Sequence, residues 1–67
     1  MYLFKKEFHN EIIRKYKISY IANDTGLSRV YITNIFNSKV AVKKIIAYCI
    51  TKLIDKDAEI EDYFTKV

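Results

Sequence analysis

Apolar residues recur at helical spacing along almost the whole chain. Phe4, Phe8, Ile12 and Tyr16 fall four apart, with Ile13 beside them, which predicts a first helix over about residues 3–16. Ile18, Ile21 and Ala22 predict a short second helix that stops at Gly26. Leu27, Ile32 and Ile35 mark the inner face of a third helix, from about Ser28 to Phe36. Val42, Ile45, Ile46, Cys49, Ile50 and Leu53 follow an i, i+3, i+4, i+7, i+8, i+11 series. An apolar arc that wide predicts a central strut, with Cys49 in the core. Ile60, Phe64 and Val67, with Tyr63 adjacent, predict a last short helix after Asp57, whose carboxylate can cap the free amides there. Glu59, Glu61 and Asp62 would complement its positive N-terminal end.

There is no proline and only one glycine, so the chain lacks the residues that usually punctuate strands and turns. The expected fold is all-α: a compact four- to five-helix bundle, with residues 1–67 as one domain. A chain of this size buries only roughly 60% of the surface it exposes when unfolded. One cysteine forms no intramolecular disulfide, and one histidine, His9, builds no zinc site alone. Apolar burial must therefore carry the fold, and with 51% hydrophobic residues it has the material to do so. His9 reads as a surface residue on the first helix.

The opening Met1-Tyr2-Leu3-Phe4-Lys5-Lys6 places its charge after the apolar residues, unlike a secretory leader. No apolar run approaches the length of a membrane span. The expectation is a soluble, cytoplasmic protein of a bacterial cell or phage-infected host, with no membrane, cofactor, metal or small-molecule substrate.

Charge adds a polarity to this picture. Residues 1–53 hold ten Lys and Arg against three acids, a net of +7, and residues 54–67 hold two against five, a net of −3. A basic body with an acidic tail suits a face that meets a polyanion and another that points away from it. The acidic run from Asp55 to Asp62 alternates like a calcium loop but lacks the glycine and the terminal glutamate at the right spacing. No paired carboxylates, nucleophile–base pair or phosphate-cradling loop points to catalysis, so the chain is not expected to be an enzyme.

The informative segment is Ile18 to Asn37. Two helices joined by a very tight turn need a residue that leaves the first helix through a left-handed conformation, and Gly26 does so at little cost. The next residue turns inward to plug the corner, as Leu27 can. Ser28 can then accept hydrogen bonds from the free amides that open the next helix. The helices cross closely, which asks for a small residue such as Ala22, and the second keeps an apolar inner face through Ile32 and Ile35.

This segment resembles the helix-turn-helix of the phage Cro/repressor superfamily, the XRE family, through Ile21, Ala22, Gly26, Leu27, Ile32 and Ile35. The surroundings agree over about residues 8–55: one helix before, two helical segments after, and the short polar stretch Asn37-Ser38-Lys39 behind the third helix. The resemblance implies a lambda-repressor-like bundle that binds double-stranded DNA, with the helix at about 28–36 in the major groove. Its outward positions, Ser28, Arg29, Val30, Thr33, Asn34 and Asn37, would then read bases. Arg29 suits guanine O6 and N7, Asn34 suits adenine N6 and N7, and Val30 or the Thr33 methyl suits a thymine methyl. Lys17, Ser19, Tyr31, Lys39, Lys43 and Lys44 are the candidates for phosphate contacts.

Three positions depart from the family pattern. Ile18 stands where a backbone-bracing glutamine is frequent, which passes phosphate anchoring to Lys17 or Ser19. Tyr31 stands where a small residue is usual, leaving it either to lie along a phosphate or to pack. Phe36 stands where a charged residue is common and belongs either to the core or to an interface. Ile60, Tyr63, Phe64 and Val67 either close the core or form the seam of a homodimer, whose two-fold would match a two-fold operator. The implied function is a Cro/repressor-like transcription regulator. The alternative is a protein-interaction factor, an antitoxin or anti-host protein, built on the same fold.

Overall fold

The two ends of the chain pair with each other. The computed structural model describes residues 1–67, and in it β1 (Tyr2–Phe4) runs antiparallel to β2 (Phe64–Lys66) in the register Tyr2↔Lys66, Leu3↔Thr65 and Phe4↔Phe64. Between them lie a 3-10 turn (Lys6–Phe8) and five helices: α1 (His9–Lys15), α2 (Ile18–Thr25), α3 (Arg29–Phe36), α4 (Lys44–Ile54) and α5 (Ile60–Tyr63). The protein is mostly helical, and the all-α expectation is corrected by this two-stranded sheet.

The correction has a local cause. Phe4 and Phe8 satisfy a helical period of four, but Tyr2 and Phe4 also satisfy the strand period of two, and it is these two that are buried, with Leu3 half-buried between them. Tyr2 is bridged on its other side by Val42, with N–H···O distances of 2.7 and 2.8 Å in the two directions. Val42 is thereby taken out of the predicted fourth helix, which starts two residues later. The first helix is likewise shorter than predicted, and Tyr16 follows it in extended conformation with its hydroxyl donating to the Ile54 carbonyl at 2.7 Å.

Phe4 sits at the centre of the core. Its ring meets Phe36 edge to face at 4.9 Å and Phe64 at 5.3 Å, tying the first strand to the end of α3 and to the last strand. Phe36 is therefore a core residue. A second edge-to-face pair, Phe8 with Tyr63 at 5.0 Å, joins the 3-10 turn to α5.

The strut helix α4 is rotated from the expected phase. Its buried stripe is Ala47, Ile50, Thr51 and Ile54, an i, i+3, i+4, i+7 series whose two small members let neighbouring elements approach. Cys49 is exposed, contrary to its predicted core place, and Ile45 beside it on the same face is 69% exposed. An apolar arc wider than a helix can bury leaves packing to select the stripe, and here the small residues Ala47 and Thr51 are fully buried in it.

After α4 the Lys52 ammonium donates to the Ala58 carbonyl at 2.7 Å and to the Lys56 carbonyl at 3.2 Å, holding the turn. The cap of α5 is Glu59, not Asp57. Glu59 and Asp62 form a reciprocal capping box, and the Asp57 N–H donates to the Asp55 carboxylate at 3.0 Å. The predicted last helix ends at Tyr63, where the chain turns into β2. Ile60 and Phe64 are buried, so neither belongs to a dimer seam; they close the core against β1 and α4. Tyr63 is half-buried and Val67 exposed. No helix is long and apolar enough to cross a membrane.

Candidate nucleic-acid interface

The turn between α2 and α3 forms as its residues require. Gly26 takes φ +76° and ψ 8°, and its N–H donates to the Ala22 carbonyl at 2.9 Å. A Cβ there would meet nothing within 4 Å, so the demand for glycine comes from the left-handed backbone alone. Thr25 reinforces the corner, its hydroxyl donating to the Ile21 carbonyl at 2.8 Å and accepting the Leu27 N–H at 3.3 Å. Leu27 packs half-buried against the core, and Ala22 is buried where α2 meets α3. Ser28 caps α3 by accepting the Tyr31 N–H at 3.1 Å.

The eight residues of α3 divide into two faces. Ile32, Ile35 and Phe36 are fully buried. Arg29, Val30 and Thr33 are exposed, and Asn34 and Asn37 are half-buried. The far end of the helix is fastened as firmly as the start. The Lys39 N–H reaches back to the Asn34 carbonyl and the Ser38 N–H to the Ile35 carbonyl, both at 3.0 Å, a Schellman closure with Ser38 in the left-handed position at φ +59°. The Ser38 hydroxyl then donates to the Phe4 carbonyl at 2.6 Å.

His9 is not the free surface residue that the sequence implied. It is half-buried, and its Nδ1–H donates to the Phe36 carbonyl at 2.7 Å. A carbonyl only accepts, so this contact holds the imidazole with a proton on Nδ1. Three bonds from outside α3 or from its caps thus fix its position: Ser28 at the start, and His9 and Ser38 at the end. Nothing in the spacing of His9 or Ser38 marks them, because their partners are backbone carbonyls distant in sequence.

The remaining candidate residues lie on α3 itself and on the elements before and after it. Lys17 is exposed at the cap position of α2, where no side chain occupies the first free amides, and Ser19 is half-buried in the first turn. Ile18 packs half-buried against the core, so this position in the first turn of α2 carries no polar group. Lys39, Lys43 and Lys44 are all exposed on the connection from α3 into the first turn of α4. Tyr31 is half-buried with its ring against the core, which leaves its hydroxyl as the group able to meet a phosphate.

One neighbour was missed by sequence reasoning. Asn23, exposed on α2, lines a shallow cleft at the turn together with Ser28 and Arg29. Its place directly after the crossing residue Ala22, on the outer side of α2, was the available signal. No group of three or more His, Cys, Asp or Glu is arranged to hold a metal ion.

The chain matches no protein-family model, no curated protein and no solved structure.

Proposed function

We propose that the protein binds double-stranded DNA and regulates transcription, with α3 as the helix that enters the major groove. The observation that carries this reading is the division of α3: a capped helix behind a left-handed glycine, its inner face fully buried and its outer residues Arg29, Val30 and Thr33 held free in solvent. A helix fastened at both ends presents side chains in a fixed register, which reading base edges needs and ordinary solubility does not. The likeness of the turn to Cro/repressor-type helix-turn-helix proteins and the basic balance of residues 1–53 support the same reading.

In this scheme Arg29 supplies a two-donor fork for guanine, and Asn34 an amide for adenine. Lys17, Ser19, Lys39, Lys43 and Lys44 hold the backbone without specifying sequence. A homodimer on a two-fold operator would use Tyr63 and Val67, the members of the suggested seam that the fold leaves accessible.

A second reading, a protein-interaction factor on the same fold, draws on the exposed Ile45 and Tyr48 of α4. Duplex binding over a salt series separates the two. A regulator shows affinity falling steeply with salt, by roughly one power of salt concentration for each phosphate neutralised. Failure to bind any duplex at low salt refutes the DNA-binding reading.

A further inference from the structure

A cleft of about 240 Å³ opens where the 3-10 turn and α1 meet the end of α3, lined by Lys6, His9, Asn10, Phe36 and Asn37. Lys6 and Asn10 are exposed, and His9 and Asn37 are half-buried. Of these side chains only that of His9 is hydrogen-bonded within the protein, through Nδ1 to the Phe36 carbonyl. No carboxylate lines the cleft. Among the charged residues nearest His9 in sequence, Lys5, Lys6, Glu7 and Glu11, only Lys6 does, and α3 with its cap contributes Phe36 and Asn37.

The bond to the Phe36 carbonyl decides what the other side of the ring can do. It keeps a proton on Nδ1, so the neutral imidazole has only a lone pair at Nε2. A second proton, taken up at Nε2, turns that nitrogen into a donor and charges the ring without disturbing the first bond. A positive charge there suits the carbonyl end of α3, and an anion seated in the cleft favours it further.

We infer that this cleft takes one backbone phosphate of the bound duplex, and that binding is coupled to the uptake of a proton by His9. The inference rests on the DNA-binding reading above and adds to it a contact on the α1 side and a pH dependence. The cleft borders the proposed interface, since Asn37 directly follows α3 and the exposed Lys39 stands two residues beyond. His9 is the one histidine in the chain, so it is the one side chain that ordinarily changes charge between about pH 5 and 7.

The test measures affinity of the full chain for a selected duplex across that pH range at fixed salt. Affinity is expected to rise as pH falls, by no more than about tenfold per pH unit, the limit for one proton. His9→Asn, whose amide keeps a donor for the Phe36 carbonyl and takes up no proton, is expected to give a flat profile. Each phosphate of the duplex is then replaced in turn by an uncharged methylphosphonate. One replacement in each bound site should weaken the natural chain several-fold and leave Lys6→Ala, already weakened, indifferent. The salt dependence of Lys6→Ala should be lower by about one power of salt concentration. Circular dichroism verifies folding, and the Lys6→Ala result stands whether or not His9→Asn folds. Specific binding with a flat profile in the natural chain overturns the proton coupling. If Lys6→Ala responds to every methylphosphonate as the natural chain does, the phosphate site is overturned. Both of these results leave the DNA-binding reading intact, whereas absence of duplex binding overturns both readings together.

Discussion

Phe4 of β1 and Phe36 in the last turn of α3 meet edge to face, with ring centroids 4.9 Å apart and planes at 78°. The contact makes the candidate reading helix part of the same packing unit as the N-terminal strand and, through Phe64, the C-terminal one. A chain of this size holds roughly 0.05–0.15 kcal/mol of stability per residue, about 3–10 kcal/mol in all. Truncating one fully buried phenylalanine costs about 3–5 kcal/mol. Phe36→Ala is therefore expected to remove a large part of that stability, and Phe36→Leu to lower the denaturation midpoint by less. Urea titration followed by far-UV circular dichroism distinguishes these outcomes; a native-like midpoint for Phe36→Ala would contradict the packing described.

Ser38 carries a left-handed backbone without being glycine, and its hydroxyl is committed to the Phe4 carbonyl. Two effects therefore oppose each other at one residue. The left-handed conformation costs an L-residue roughly 1–2 kcal/mol, and the hydrogen bond returns about 0.5–1.5 kcal/mol. Ser38→Gly relieves the first and loses the second, so its stability stays near that of the natural chain. Ser38→Ala loses the bond and keeps the strain, and is expected to be less stable than Ser38→Gly by about 1 kcal/mol. Equal destabilisation of the two variants would show that the backbone conformation is not what limits this position.

Thr51 is fully buried in the contact stripe of α4, and its hydroxyl has no hydrogen-bond partner. A buried hydroxyl without a partner costs about 1–3 kcal/mol, and valine has nearly the same shape. Thr51→Val is expected to raise the melting temperature by about 4–8 °C, the shift that roughly 1 kcal/mol gives a domain of this size. A fall in melting temperature would mean that the hydroxyl is satisfied in solution.

Tyr63 packs on Phe8, and burial, then the nearby Asp55 and Glu11 carboxylates, raise its hydroxyl pKa above 10.0. The folded state therefore keeps this proton at a pH where the unfolded chain releases it. That contribution is fully present below pH 10.0 and is lost as pH rises through the folded value. Tyr63→Phe, which cannot ionise, should lose less stability than the natural chain between neutral and strongly alkaline pH. Denaturant midpoints of the two proteins across that range measure the difference directly, and parallel curves would contradict it.

The parts of the fold that were legible in the sequence are those decided locally. Gly26, Leu27 and Ser28 each answer a demand made by the residues beside them, and the turn forms as they imply. The strands were hidden because Phe4 fits two periods at once, and its choice depends on Phe64 at the other end of the chain. Cys49 was misplaced for a related reason: an apolar arc around α4 names more residues than one stripe can bury, and contacts from α2 and α5 decide among them. Of the candidate interface, the two faces of α3 were readable from its own spacing. The bonds from His9 and Ser38 that hold it end on backbone carbonyls, and backbone carbonyls leave no pattern in side-chain identity.

The most direct test of α3 as a reading helix compares Arg29→Ala with Lys39→Ala on a selected operator and its single-base variants. Removing the fork of Arg29 should weaken operator binding by roughly 1–3 kcal/mol and erase the preference at one base pair. Removing the Lys39 charge should weaken all the duplexes alike and lower the salt dependence by about one power of salt concentration. Should Arg29→Ala instead weaken every duplex equally and keep the full base preference, α3 would not be the element that reads the sequence.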